Sequence, residues 1–339
     1  MIICSKAYPR VGLIGNPSDG YFGKTISFAF GNFCAEVVLY ETPELEILPS
    51  EKDHSRFNSI TDIVKDVKLH GYYGGIRLLK ATIKKFHDYC SENQIELHKK
   101  NFTIRYASNI PHGVGLAGSS AIITGCLRAL SAFYGVSIPK YTQANLILSA
   151  EMDELHISAG LQDRVIQVYE GLVYMDFSKE IMARQGYGDY EPLDPELLPK
   201  LYVAYREDLS EPTEVFHNNI RDRFQRGERE VVEAMQYWAE LAAKVKYCLL
   251  NGQAEKIGGL MNANFDRRCK IYRISNENIK MVETARSVGA SATFTGSGGA
   301  IVGIYEDEKM FDRLKEKLHK LKIKVIKPKI VSSTGKAEA

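Results

Sequence analysis

Hydrophobic positions recur with a period of two in short stretches and of three to four in longer ones, which predicts a chain of mixed strands and helices. Strand-like segments open the chain at 11–14, at 25–40, where β-formers dominate, and at 45–48. Helical spacing follows over 60–69, ahead of Gly71, and Ile76, Leu79, Ile83 and Phe86 share one face of a helix reaching Glu92. Residues 102–106 alternate like a strand. Over 121–133, Ile122, Cys126, Ala129, Leu130 and Phe133 fall on one side of a helix. A second helix is predicted over 141–155, a short one over 162–169, and a strand over 171–177. Residues 178–199 mix glycine, proline and tyrosine without a period and read as a connection. A new unit begins with a strand at 201–205. Helices near 212–224, 228–250, 254–265 and 276–288 follow, then strands at 292–295 and 300–305 around a glycine cluster, and a last helix and strand. The pattern is α+β in two domains, 1–196 and 197–331, with 332–339 as a disordered tail.

Composition narrows the function classes. The 339 residues are 45% hydrophobic and 25% charged, enough for a sizeable core, and the net charge of +2 gives no general pull toward nucleic acid or anionic lipid. The basic stretch 315–329 spaces Leu314, Leu318 and Leu321 helically among lysines, then reads as a lysine-protected edge strand. Six scattered cysteines without a Cys-x-x-Cys pair, and eight dispersed histidines, indicate neither a zinc site nor a disulfide framework. No apolar run approaches a membrane span and no signal-peptide core is visible, so a cytoplasmic protein acting on small molecules is expected. Oligomeric state is not legible.

The chemistry concentrates in Pro111-His112-Gly113-Val114-Gly115-Leu116-Ala117-Gly118-Ser119-Ser120-Ala121. Glycines let the backbone take positive φ and turn N–H groups inward, and the helix that follows offers unpaired amides and a positive dipole end to an anion. Strand, glycine turn and helix make a phosphate cradle, although Ser119 or Ser120 would also serve as a simple helix cap. A Walker loop does not fit: Gly23-Lys24-Thr25 ends correctly, but Ser18 stands where its first glycine belongs. A dinucleotide fingerprint would want an acidic residue about 20 positions on, and 134–143 carries none.

The loop is similar to Pro-x-x-x-Gly-Leu-Gly-Ser-Ser-Ala of the GHMP kinase superfamily, with Ala117-Gly118 altering the usual order. Three more segments fall in the same sequence order as the superfamily's motifs. Tyr8-Pro9-Arg10-Val11-Gly12-Leu13-Ile14-Gly15-Asn16-Pro17-Ser18-Asp19 resembles its opening segment, Gly160-Leu161-Gln162-Asp163 its Gly-x-x-Asp, and Gly296-Ser297-Gly298-Gly299 its C-terminal glycine loop. The resemblance implies a ribosomal-protein-S5-like N-terminal domain and a ferredoxin-like C-terminal domain. It also implies ATP and Mg²⁺ as cofactors, Asp163 at the acceptor hydroxyl, Arg10 as nearby positive charge, and Ser120 and Glu151 as metal ligands. Gly113 to Ser120 would hold the ATP phosphates.

Where sugar-binding relatives carry Glu-His, this chain has Asn16-Pro17. That segment, the 71–79 and 159–165 strings, Tyr174 to Lys179 and Phe294 to Gly299 resemble plant-type glucuronokinases. The activity so implied is phosphorylation of D-glucuronate at its anomeric hydroxyl. Arg164, Arg77 and Arg268 are the candidate partners of a sugar carboxylate, Arg164 first, since arginine binds carboxylate bidentately. Asp19 and Tyr21 are candidate partners of sugar hydroxyls, with Gly296, Ser297, Gly298 and Gly299 close by. The alternatives are a 1-kinase for galacturonate, arabinose, fucose or another sugar, or a non-catalytic ligand-binding regulator.

Overall fold

The computed structural model describes residues 1–50, 53, 74–206 and 220–331. The helix expected over 60–69, most of the one near 212–224, residues 71–73 and the tail 332–339 lie outside the described residues. The chain divides into two compact units: one of Met1–Pro9, Phe33–Ile110 and Ala117–Ala159, the other of Arg10–Asn32, Pro111–Leu116 and Gly160–Ala339.

The first unit holds a four-stranded sheet in the order Ile2–Ala7, Ala35–Thr42, Asn101–Ser108, Glu46–Leu48, antiparallel except for its last pair. Period-two alternation turns Ala35, Val37 and Leu39 into the core. Helix Gly118–Tyr134 packs across the first two of these strands with Ala121, Cys126, Ala129 and Leu130 buried, and helix Gly75–Glu92 lies beside it through Leu78, Leu79 and Phe86. Helix Lys140–Ser149 runs on into one π turn, Ala150–Glu154. The hydrophobic spacing predicts one uniform helix over 141–155; the widened turn leaves no mark in that spacing.

The second unit contains two antiparallel sheets. One orders Arg10–Ile14, Lys24–Ala29, Leu172–Asp176 and Asp189–Leu193; the other orders Thr293–Phe294, Ala300–Ile304, Leu201–Tyr205 and Lys324–Ile326. Helix Gln162–Tyr169 packs on the first of these sheets, as does Arg229–Leu250, whose Trp238 is fully buried. Helices Ile257–Ile271, Asn276–Arg286 and Glu308–His319 bury Phe265, Met281, Phe311, Leu314 and Leu318 in one cluster with Phe294 and Ile301. Asp307 caps the last helix, its Oδ1 accepting from Met310 N–H at 2.8 Å.

The residue run 25–40 is not one strand: Lys24–Ala29 and Ala35–Thr42 belong to different units, separated at Gly31-Asn32. The boundary expected near Leu197 falls inside the second unit, because Arg10–Asn32 pairs with Leu172–Asp176 rather than with the first unit's sheet. A cut in sequence order cannot follow that exchange. Nor is 178–199 a plain connection: it forms helix Lys179–Gln185 and edge strand Asp189–Leu193, which contains Pro192 and buries only Leu193. An edge strand tolerates proline and shows water most of its side chains, so no hydrophobic period betrays it. Strand Ile2–Ala7 also went unanticipated.

Candidate active site

In the second unit, Arg10 lies in the strand Arg10–Ile14 with its guanidinium buried. One terminal nitrogen reaches Asp163 Oδ1 at 2.6 Å, and the other donates to the carbonyl oxygens of Thr295 and, at 3.2 Å, Gly115. Arg10 N–H donates to Leu116 O at 3.1 Å, and Gly12 N–H to Thr295 O at 2.9 Å. The opening strand, the glycine loop and the C-terminal glycine segment are thereby tied to one cation. Gly115 has φ +68°, and a Cβ there would stand 2.9 Å from Gly298 O, so both its conformation and this approach require glycine.

Asp163 opens the helix Gln162–Tyr169, where the helix dipole favours an anion. Arg164 Nη1 lies 3.3 Å from Asp163 Oδ2 and donates to Gly160 O at 2.8 Å. Burial opposes ionisation of Asp163, but Arg10 and Arg164 outweigh it and hold the carboxyl below its ordinary range. Asp19 is its counterpart. Burial, and then the charge of Asp163, push Asp19 up to about 6, although Gln162 N–H donates to its Oδ2 at 3.3 Å. Asp19 Oδ2 lies so close over Gly160 that a Cβ there would stand 2.1 Å from it. Two carboxyls that feel each other's charge thus have opposite proton preferences, a pairing suited to one base and one hydroxyl-binding group.

Asn264 fixes the turn that carries Asn16: its Oδ1 accepts from Gly15 N–H at 3.0 Å and its Nδ2 donates to Asn16 O at 3.4 Å. Asn16 Oδ1 in turn accepts from Arg268 Nη1 at 2.9 Å. The Arg268 guanidinium lies 5.0 Å from the Tyr272 ring centre and 5.2 Å from that of Phe294. Tyr21 is buried, with its ring edge-on to Phe224 at 5.0 Å, and burial pushes its hydroxyl up to about 12.

The remaining candidates lie in the first unit. Ala117, in the left-handed region at φ +61°, precedes the helix that Gly118, Ser119 and Ser120 begin. Ser120 is buried and its hydroxyl donates to Ala117 O at 3.2 Å. The acidic run after Ala150 separates by environment: Asp153 and Glu154 pair with Lys85 and Lys84 at 3.1 and 2.9 Å, whereas Glu151 is only 2% exposed, on the π turn. Arg77 lies in the first turn of helix Gly75–Glu92.

Sequence reasoning passed over Gln162, Thr295, Asn264 and Tyr272. Gln162 and Thr295 stand inside the quoted motif strings, which could have flagged them. Asn264 and Tyr272 lie in no motif and enter only by packing.

Comparison with known proteins bears on this arrangement. The family model described as the GHMP kinases N terminal domain matches residues 77–171. Glucuronokinase 1 of Arabidopsis thaliana is 46% identical over 303 residues, covering 88% of this chain and 83% of the relative. Probable glucuronokinase 2 of the same plant is 47% identical over 304 residues, covering 88% and 82%. Lactococcus lactis galactokinase complexed with galactose matches in structure with TM-score 0.74 at 14% identity, over 98% of this chain and 94% of that one, a likeness of fold. The chain belongs to the GHMP kinase superfamily, with glucuronokinases among its close relatives there. It has the α+β fold of that superfamily and is an ATP-dependent sugar kinase. No helix of the described residues is long and apolar enough to cross a membrane.

Proposed function

We propose that this protein transfers the γ-phosphoryl group of ATP to the anomeric hydroxyl of D-glucuronate, giving glucuronate 1-phosphate and ADP. The observation that carries the reading is Asp163, kept ionised between Arg10 and Arg164 at the start of a helix. In that state it orients the acceptor hydroxyl and takes its proton as the oxygen attacks the γ-phosphorus and the bridging P–O bond to ADP breaks. Arg10 offsets the charge that develops on the transferring group. The identity of 46–47% to glucuronokinases supports glucuronate as the acceptor.

Gly113 to Ser119 supply backbone amides for the ATP phosphates, and two features of that stretch support this: positive φ at Gly113 and Gly115, and a helix starting at Gly118. Ser120 and Glu151, a hydroxyl and a carboxylate both withdrawn from solvent, form a hard oxygen donor set suited to Mg²⁺, which when bound neutralises phosphate charge. Asp19 and Tyr21 meet sugar hydroxyls, and the segment from Gly296 to Gly299 closes on the ligands. ATP turnover across glucuronate, galacturonate, glucose, galactose, arabinose and fucose tests the reading. Glucuronate is expected to lead glucose in kcat/KM by at least roughly 10²-fold, the discrimination of a site built around a charged hydrogen-bonded pair. Equal use of the two sugars would overturn it.

A further inference from the structure

In the first unit, the π turn Ala150–Glu154 is tied to a second helix. Lys84 and Lys85 are consecutive on helix Gly75–Glu92, and both reach that turn. Lys84 Nζ lies 2.9 Å from Glu154 Oε1 and 2.9 Å from Asp88 Oδ2, one turn further along its own helix. Lys85 Nζ lies 3.1 Å from Asp153 Oδ2 and 3.4 Å from the same Glu154 Oε1. Glu154 is therefore the carboxylate on which both lysines converge. With Lys85 it is also the most covered member of the cluster: their side chains are 21% and 20% exposed, against 57% for Lys84 and 59% for Asp153. Single exposed ion pairs contribute little, but a network that shares one partly covered carboxylate restrains its geometry.

That restraint falls on backbone that is otherwise poorly supported. The helical run that starts at Lys140 ends with this turn, which carries Glu151, Asp153 and Glu154. Three carboxylates at the negative end of a helix oppose its dipole and repel one another. A π turn is in addition a rare conformation, found mostly at functional sites. Lys84 and Lys85 offset two of the three charges from outside. The turn is closed by Ile157 N–H, which donates to Glu151 O at 2.8 Å, with His156 between them in the left-handed region at φ +56°. The closing bond is thus made to Glu151 itself, and fraying of this end would release the residue whose buried carboxylate stands in the proposed donor set.

We propose that Glu154, through Lys84 and Lys85, is the positioning residue that keeps the π turn closed and so fixes Glu151 for the metal. This rests on the reading of Glu151 as a Mg²⁺ ligand and adds to it what holds that carboxylate. Glu154→Gln keeps the size of the side chain and removes the charge that both lysines share. In the metal-free protein, hydrogen exchange of the Ile157 amide is expected to quicken by at least ~3-fold. The Mg²⁺ concentration for half-maximal activity is expected to rise by at least ~3-fold, with the sugar KM unchanged. In a Lys84→Met/Lys85→Met background the same substitution is expected to add nothing to either readout, because the groups it acts through are gone. Lys100→Met, which breaks the exposed pair of Lys100 with Glu41 at 2.9 Å in the same unit, controls for loss of a surface charge and is expected to move neither readout. Unchanged exchange at Ile157 or an unchanged Mg²⁺ requirement in Glu154→Gln would overturn the proposal. So would a full effect of Glu154→Gln in the background lacking both lysines, since Glu154 would then act without them. A Glu151→Gln protein with the wild-type Mg²⁺ requirement would instead overturn the reading of Glu151 as a ligand.

Discussion

Arg10 grips Asp163 Oδ1 at 2.6 Å while its other terminal nitrogen is committed to the carbonyl oxygens of Gly115 and Thr295. The guanidinium is thus held by backbone oxygens from two glycine segments as well as by the carboxylate. In the reaction proposed above, a charge held that way needs no reorganisation as phosphoryl transfer begins.

Asp163→Asn tests what this geometry is for. The amide keeps the size and one acceptor oxygen, so folding and ATP binding are expected to persist. Turnover is expected to fall by roughly 10²–10⁴-fold, the range for a lost acid–base group, read in a coupled ADP-release assay. Turnover near that of the wild type would remove Asp163 from the chemistry.

Asp19 makes a prediction of opposite sign to that of an ordinary acid. Its native-state value of about 6 lies above the usual ~4. The folded protein therefore holds this proton more tightly than the unfolded chain, and its contribution to stability is lost as pH rises from ~4 through 6. The difference in Tm, Asp19→Asn minus wild type, is expected to grow between pH 4 and pH 7.5. A pH-independent difference would show that Asp19 is not so perturbed.

Glu151 separates from Asp153 and Glu154 by being buried on the π turn. Glu151→Gln is expected to raise the Mg²⁺ concentration for half-maximal activity more than it changes the sugar KM. An unchanged Mg²⁺ dependence would exclude Glu151 from the metal site.

Much of this region was legible because its residues sit in short local strings. Arg10, Asp19, Asp163 and the glycine segments each belong to a run whose residue types state their chemistry, and the structure brings those in the second unit into contact. Asn264 was not legible: it meets Asn16 across 248 positions, and nothing in its own helix marks it. The same limit applies to strand Asp189–Leu193. Edge position and a proline remove the kind of continuous apolar run that reveals Leu201–Tyr205, which is buried throughout. Periodicity reports burial, so elements near water and residues that act through distant packing leave little trace.

In the reaction proposed here, phosphate lands on the anomeric oxygen of glucuronate. The most direct measurement is NMR of the product formed from ATP, Mg²⁺ and glucuronate, reading the phosphorus–proton coupling. The expected result is coupling of phosphorus to the anomeric proton, with the carboxylate unmodified and no such product from Asp163→Asn. Phosphate on another oxygen, or a product only from neutral sugars, would contradict the account.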